Sequence, residues 1–182
     1  MAAFGRKGDV VRFYEINPLV PQLAKTQFTY LSDSPARTEI VLGDGRLMLE
    51  PEPDQNFDLL AMDAFSGDSV PVHLITREAF RTYLRHLKPG GVLAVNISNK
   101  YLDLAPVVER AAAAFGRVAV LVDYEAEEDD LECFSSSWAL VMDKTTWERL
   151  RPALGEDARP IEPRAGFRPW TDDYSSLFAV LK

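Results

Sequence analysis

Hydrophobic and polar positions along the chain follow two periods, one typical of strands and one typical of helices. Runs rich in β-branched and aromatic residues predict strands at 10–15, 38–44, 57–64, 92–98, 118–123 and 137–143. Between them, apolar residues recur at helical spacing. This alternation predicts an α/β fold with a Rossmann-like, mainly parallel sheet and helices on both faces. The run at 57–64 is apolar almost throughout, as expected of a strand covered on both faces.

The clearest helical pattern is TREAFRTYLRHLKPGG, which begins at Thr76. Its apolar stripe comprises Ala79, Phe80, Tyr83, Leu84 and Leu87. Thr76 is a suitable N-cap, and Pro89 followed by Gly90 or Gly91 predicts the end of the helix. A less regular helix follows Asn17, the predicted N-cap, with Pro18 at its first position. Further helices are predicted in LDLAPVVERAAAAFG and at 145–154, and loops at 125–132 and 159–169.

Composition narrows the class of protein. The 182 residues predict one domain, 1–182, and 47% hydrophobic residues allow a sizeable core. A net charge of −8 argues against a nucleic-acid partner. No apolar run approaches the roughly 20 residues needed to span a bilayer, so no membrane segment is expected in this chain. The single cysteine, Cys133, excludes an internal disulfide, and we expect a cytoplasmic protein.

Acidic residues follow three successive predicted strands. The first strand ends in Glu15, the second in Gly43–Asp44–Gly45 and the third in Asp63. Ligands of doubly wound sheets bind beyond the carboxyl ends of the strands. Glu15 could accept hydrogen bonds from ribose hydroxyls, and Asp44, flanked by glycines, could accept one from an exocyclic amine. Asp63 could accept a proton from an amine or hold a cationic group.

Other candidate chemistry is weak. His73 and His86 have no partners at metal-ligand spacing, so no metal site is predicted, and His86 is expected on the solvated side of its helix. The sequence around Ser66 lacks the first glycine of a nucleophile elbow. The three tryptophans are expected to pack, although Trp170 could border a pocket.

Five ordered segments resemble the spermidine synthase-like proteins, aminopropyltransferase relatives with the fold of S-adenosylmethionine-dependent methyltransferases. The segments are YEINP, GDGR, DLLAMDAFSGDSVPVHLITREAF, LKPGGVLAVNISNKYLDL and WTDDYS. The resemblance implies transfer of an aminopropyl group from decarboxylated S-adenosylmethionine to a polyamine such as putrescine. A homodimer is expected.

The resemblance also implies roles for individual residues. Asp63 matches the aspartate that helps to deprotonate the attacking amine. The cofactor-binding positions are Glu15, Gly43, Asp44, Gly45 and Ala64, and the substrate-binding positions are Asp68, Asp172, Asp173 and Tyr174. Asp68 stands five positions after Asp63, whereas classical members have two acids separated by only two residues.

A strand and a glycine-rich loop precede the first matching segment in this family, but this chain begins with MAAFGRKGD. This difference predicts a truncated relative with impaired cofactor binding, and a sheet without its central strand, which a partner chain could complete. Two other readings stay open. One is a methyltransferase that uses S-adenosylmethionine itself; the other is a non-catalytic dimerisation or regulatory domain.

Overall fold

The computed structural model describes residues 1–64, 71–126 and 135–182. Asp68, Ser66, Cys133 and most of the predicted loop at 125–132 therefore lie outside the described residues. Contacts divide the chain into two compact units, Met1–Glu52 and Pro53–Lys182, called here the N-terminal unit and the C-terminal unit. The single domain 1–182 stays a prediction, and each unit is described by itself.

The N-terminal unit contains two strands and two helices. They are β1 (Val10–Glu15), α1 (Leu19–Gln27), β2 (Arg37–Leu42) and α2 (Gly45–Leu49). β1 and β2 pair in parallel along their whole length. The buried hydrophobic residues of this unit are small apart from Leu49; the others are Ala2, Ala24 and Ala36.

Helix α1 begins slightly later than predicted. Pro18 takes the N-cap position instead of the first helical position, and its side chain makes no capping hydrogen bond. Asn17, the predicted cap, still accepts a hydrogen bond from the Leu19 backbone N–H at 3.0 Å. Asn17 therefore still satisfies an N–H group at the start of the helix, although the helix begins one residue later than predicted.

The C-terminal unit alternates strands and helices. Its elements are β3 (Phe57–Met62), α3 (Arg77–Arg85), β4 (Leu87–Asn96), α4 (Ala105–Ala113), β5 (Val118–Tyr124), β6 (Ser136–Met142), α5 (Lys144–Leu154) and β7 (Ala158–Pro160). The strand order is β3-β4-β6-β5-β7. β3 and β4 pair in parallel, while β6 pairs antiparallel with both β4 and β5. The predicted α/β class is confirmed, and the sheet of this unit is mixed because β6 and β7 run against the other strands.

Helices cover both faces of this five-stranded sheet. Trp147 of α5 packs with Val120 and Met142 on one face. Side chains alternate along a strand, so Val95 and Val141 point to the opposite face, where they are fully buried. α3 contacts β4 and α4 contacts β5. Helices therefore lie against both faces of the sheet at β4, β5 and β6, as the sequence predicted.

Two boundaries in this unit differ from the prediction. The strand predicted at 92–98 begins at Leu87, so that Leu87 belongs to β4 and not to the stripe of α3. Gly90 adopts a φ of +76°, and a Cβ on Gly91 would lie 2.8 Å from the Phe57 carbonyl oxygen. These glycines let β4 continue through the predicted turn close to β3. β7 also occupies the start of the loop predicted at 159–169.

The prediction that His86 is solvated is wrong. The side chain is fully buried, and its Nδ1 accepts a hydrogen bond from the Gln55 backbone N–H at 3.3 Å. His86 is the C-cap of α3, where the chain turns directly into β4. Its carbonyl oxygen accepts from the Phe57 N–H at 2.7 Å. The helical periodicity that predicted a solvated His86 does not apply to this residue, because α3 ends at Arg85.

The prediction that β3 is covered on both faces is also wrong. Only Met62 of this strand is buried, and Leu59 is 41% exposed. Within the described residues β3 pairs with β4 alone, which makes it an edge strand of its sheet. An apolar sequence therefore occupies a strand with one unpaired edge.

Candidate functional site

Asp63 follows β3 directly, and its neighbour across the sheet is Asn96 at the end of β4. Met62 pairs with Val95, so the next residue of each strand reaches the same edge. Asn96 Nδ2 donates a hydrogen bond to Asp63 Oδ1 at 2.7 Å. Asn96 Oδ1 in turn accepts from the Ser98 N–H at 2.9 Å. That second bond fixes the direction of the amide, so the Asn96 NH₂ group faces the carboxylate.

This arrangement leaves one oxygen of the Asp63 carboxylate available. Asp63 is exposed, and the described residues provide no partner for Oδ2. Such a carboxylate, held by one donor and open on the other side, can accept a hydrogen bond or a proton from an incoming amine. Ala64, a predicted cofactor-binding residue, follows Asp63 and is exposed.

Glu15 and Asp44 lie at the carboxyl ends of the two strands of the N-terminal unit. The Gly43 N–H donates to the Glu15 carbonyl oxygen at 2.9 Å, which joins the two strand ends. Glu15 Oε1 accepts from the Asn17 N–H at 2.8 Å. Asp44 Oδ1 accepts from the Leu47 N–H at 3.0 Å and caps α2. Each acid therefore has a local structural partner as well as the predicted ligand role.

Gly43 and Gly45, on either side of Asp44, differ in why a glycine occupies the position. Gly43 has a φ of +142°, and a Cβ there would lie 2.8 Å from the Met48 side chain. Gly45 has an ordinary φ, and a Cβ would meet only the Tyr14 Cβ at 3.6 Å. Gly43 is therefore required by the turn, whereas Gly45 leaves open space beside the cap of α2.

The polar face of the N-terminal unit centres on Tyr14. The Tyr14 hydroxyl donates to Glu52 Oε2 at 2.8 Å, and Arg12 Nη1 donates to the same oxygen at 3.0 Å. Burial, together with the hydrogen bond to Glu52, raises the pKa of Tyr14 well above its ordinary value. The Tyr14 hydroxyl and Arg12 Nη1 are thus both bonded within this face, and the predicted ligand acids Glu15 and Asp44 lie at the strand ends.

The segment WTDDY, residues 170–174, forms a tight turn near the end of the chain and is called here the late turn. Thr171 and Tyr174 exchange two backbone hydrogen bonds, of 2.8 and 3.1 Å, so Asp172 and Asp173 occupy the tip. Asp172 Oδ1 accepts from Thr76 Oγ1 at 2.7 Å. Both acids are exposed, and Asp173 has no described side-chain partner. The two neighbouring aspartates thus have different surroundings.

Tyr174 carries a cation on its ring. The Arg168 guanidinium carbon lies 3.8 Å from the ring centroid, a cation–π contact. Within the described ranges Arg168 forms no ion pair with an acid. A guanidinium at this position reduces the attraction of the Tyr174 ring for a further cation, so Asp173 is the stronger electrostatic feature of the late turn.

A polar cleft of about 770 Å³, lined in part by Ser98, lies at the carboxyl ends of β4 and β5. Two of its acids are already paired: Asp103 with Arg164 and Asp123 with Arg159, each at 2.7 Å.

Over the described part of the chain, no three His, Cys, Asp or Glu side chains are grouped so that they could hold a metal ion. In that same part no helix is long and apolar enough to cross a membrane.

Within each unit, the structure brings particular predicted site residues together. It places Glu15 beside the turn at 43–45, and Asp63 beside Asn96. It shows two contributors that the site prediction omitted, namely Asn96 and Thr76. For Asn96 the signal was its position at the end of the strand that follows Asp63. Nothing in the local sequence predicted that Thr76 contacts Asp172.

Comparison with known proteins agrees with these motifs. The chain is 36% identical over 84 residues to a polyamine aminopropyltransferase of Vibrio vulnificus, covering 45% of this chain. It is 30% identical over 128 residues to a polyamine aminopropyltransferase of Nitrosomonas europaea, covering 68% of this chain. The chain spans 27% and 37% of the length of these two relatives. No protein-family model matches the chain.

Solved structures share the fold. A probable spermidine synthase from Corynebacterium glutamicum superposes with a TM-score of 0.62 at 21% identity, covering 91% of this chain and 64% of that one. A spermidine synthase in complex with the transition-state analogue AdoDATO gives a TM-score of 0.51 at 16% identity, covering 89% and 53%. The resemblance to the spermidine synthase-like proteins, with their methyltransferase-like fold, is confirmed. Structural neighbours of this chain bind ligands related to S-adenosylmethionine.

Proposed function

We propose that this chain functions in aminopropyl transfer, because it is similar in sequence to polyamine aminopropyltransferases and shares their fold. The donor is decarboxylated S-adenosylmethionine and the acceptor a polyamine such as putrescine. The observation that carries the proposal is the Asp63 carboxylate, which Asn96 holds at 2.7 Å on one oxygen, while the described residues provide no partner for the other oxygen. The relatives' names support the choice of reaction.

In the proposed reaction, a neutral amine nitrogen of the acceptor attacks the carbon bound to the donor's sulfonium sulfur. The new C–N bond forms as the C–S bond breaks, and the bonding electron pair leaves with sulfur as a neutral thioether. The nitrogen then carries a positive charge, and the open oxygen of Asp63 accepts its surplus proton. Asn96 keeps the carboxylate oriented during this step.

The donor is proposed to bind through residues of the N-terminal unit. Glu15 Oε2 has no described partner and can accept a hydrogen bond from a ribose hydroxyl. The turn at 43–45 offers Asp44 and the open side of Gly45 to the adenine. In the C-terminal unit, Ala64, next to Asp63, is a further proposed donor-binding residue, and Asp68, outside the described residues, is a proposed acceptor-binding residue. Asp173 is proposed to bind the distal ammonium of the acceptor through its negative charge.

The first test is calorimetric titration of the 182-residue chain with methylthioadenosine, decarboxylated S-adenosylmethionine and S-adenosylmethionine. We expect micromolar binding of the first two, weakened by Glu15→Ala but unchanged by Asp33→Ala, an exposed acid of the same unit. Absence of binding at millimolar ligand would contradict the donor site. It would favour the reading of a non-catalytic domain.

The second test is turnover with putrescine. Asp63→Asn keeps the side-chain shape but cannot take the proton, so kcat should fall by about 10²–10⁴-fold while methylthioadenosine binding is retained. Asp157→Asn, an exposed acid in the same unit, is the matched control. Methyl transfer from S-adenosylmethionine, without aminopropyl transfer, would replace this proposal by the methyltransferase reading.

A further inference from the structure

Three hydrogen bonds attach the late turn to the beginning of α3. The Arg77 N–H donates to the Trp170 carbonyl oxygen at 2.9 Å. Thr76 Oγ1 donates to Asp172 Oδ1 at 2.7 Å, and the Asp172 N–H donates to Glu78 Oε2 at 3.1 Å. Three consecutive residues of the segment that enters α3 thus hold a turn that lies more than 90 residues later in the sequence.

The attachment is anchored in the interior of the C-terminal unit. Trp170 is 1% exposed and Thr76 is 1% exposed, while the preceding Ile75 is fully buried. Thr76 Oγ1 also accepts from the Ala79 N–H at 3.3 Å, so one hydroxyl both caps α3 and binds Asp172. A buried hydroxyl used in this way has little freedom to turn, which restrains the Asp172 carboxylate.

The carboxylate of Glu78, which accepts the hydrogen bond from the Asp172 N–H, is ionised at neutral pH. Burial alone would raise the pKa of Glu78, but hydrogen bonds from Arg77 and from backbone N–H groups, including that of Asp172, lower it below its ordinary value. Glu78 is therefore ionised at neutral pH beside Asp172. Asp173, on the other side of the tip, has no such described partners.

We propose that Asp172 is a positioning residue, which fixes the late turn against α3 so that Asp173 presents its carboxylate to the cationic acceptor. This inference rests on the proposed function, and it divides between two neighbouring acids a role that the sequence left shared. What Asp172 supplies is a hydrogen-bond acceptor for Thr76. What Asp173 supplies is a negative charge.

The difference between acceptor and charge gives a direct experiment. Asp172→Asn keeps an oxygen that can accept from Thr76 but removes the charge, whereas Asp172→Ala removes both. We expect Asp172→Ala to raise the KM for putrescine by about tenfold, as loss of one hydrogen bond predicts. Asp172→Asn should stay within about twofold of the unmodified chain. For Asp173, the Asn and Ala variants should be equally impaired.

Thr76 provides the partner test. Thr76→Ser keeps the hydroxyl and should retain the KM, while Thr76→Val removes it and should raise the KM at least as much as Asp172→Ala. Asp157→Asn is the control for a neutralised exposed acid. The inference is overturned if Asp172→Asn raises the KM as much as Asp172→Ala, because the charge itself would then be what the acceptor meets.

A readout that needs no turnover separates this inference from the proposed function. Hydrogen exchange of the Thr171 and Tyr174 amides should be about tenfold faster in Asp172→Ala and Thr76→Val, but not in Asp172→Asn or Asp173→Ala. If the unmodified chain shows no aminopropyl transfer, the proposed function fails while the exchange measurement still tests the attachment. Unchanged exchange in Asp172→Ala would overturn the positioning role.

Discussion

The N-terminal unit and the C-terminal unit both place acids beyond the carboxyl ends of parallel strands, but they differ in what lies beneath those strands. The C-terminal unit buries large side chains, among them Phe80, Leu93 and Trp170. The N-terminal unit buries mainly alanines and exposes many large apolar residues, such as Leu19 and Phe28. Its two-stranded parallel sheet has little apolar core of its own.

This difference concerns how accurately each unit can hold a ligand-binding side chain. A site needs residues whose rotamers are fixed by packing and by further hydrogen bonds. Asp63 meets this requirement, because Asn96 and Ser98 form a chain of hydrogen bonds at the end of two long-paired strands. Glu15 and Asp44 depend on short local contacts to Asn17 and Leu47. We therefore expect Asp63 to keep its orientation more firmly than Glu15 and Asp44 keep theirs.

The largest expected effect tests the core itself. Phe80 is fully buried in α3, with its ring 6.3 Å from that of Tyr83. Phe80→Ala should lower the free energy of unfolding by about 3–5 kcal/mol, measured by urea denaturation. Phe28→Ala, the same change at a residue 62% exposed in the N-terminal unit, should cost less than about 0.5 kcal/mol. Similar costs for both would remove the contrast between the units.

Hydrogen exchange of the unmodified chain sharpens the comparison without a substitution. Amides of β4 and β6 should exchange only through global opening, because these strands lie inside a five-stranded sheet. Amides of β1 and β2 should exchange at least about 100-fold faster, since local opening of a two-stranded sheet exposes little apolar surface. Equal protection in both sheets would show that the N-terminal unit is stabilised as strongly as the other.

Helix caps allow a comparison of smaller size. Asp143 accepts from the Thr146 N–H at 2.8 Å and caps α5, so Asp143→Ala should cost about 1 kcal/mol. The Thr146 backbone hydrogen bond lowers the pKa of Asp143 below its ordinary value. Its stabilising contribution is therefore present above the unfolded-state pKa of about 4 and is lost as pH falls below that. Asp157→Ala changes an exposed acid outside the cap of α5. In thermal unfolding at pH 7 and pH 3 it should show neither the loss of stability nor its dependence on pH.

An effect of similar size concerns the polar face of the N-terminal unit. Tyr14→Phe removes the hydrogen bond to Glu52 and should cost about 0.5–1.5 kcal/mol at pH 7. Because the folded-state pKa of Tyr14 is raised, its contribution is complete below pH 10 and decreases as the unfolded phenol ionises above about pH 10. The cost of Tyr14→Phe should therefore shrink at pH 11. A cost that is the same at both pH values would contradict the raised pKa.

Local patterns in the sequence predicted much of the fold. The strand and helix periods located β1 to β6, α3, α4 and α5, and Thr76 was correctly predicted as the cap of α3. These features depend on side chains within a few residues of one another. The errors fall where a contact from elsewhere changes the local preference. His86 is buried because the chain turns straight into β4, and β7 forms because its residues pair with β5.

In the candidate site, too, the sequence determined some features and the tertiary structure determined others. The residue types and their order, with acids after successive strands and the motif segments, are properties of the sequence alone, and they were sufficient for the resemblance to aminopropyltransferases. The partners of those acids were decided by tertiary structure. Asn96 lies 33 residues from Asp63, and Thr76 lies 96 residues from Asp172. Hydrogen bonds over such separations form only when strand pairing and packing bring the groups together, because no local propensity encodes them.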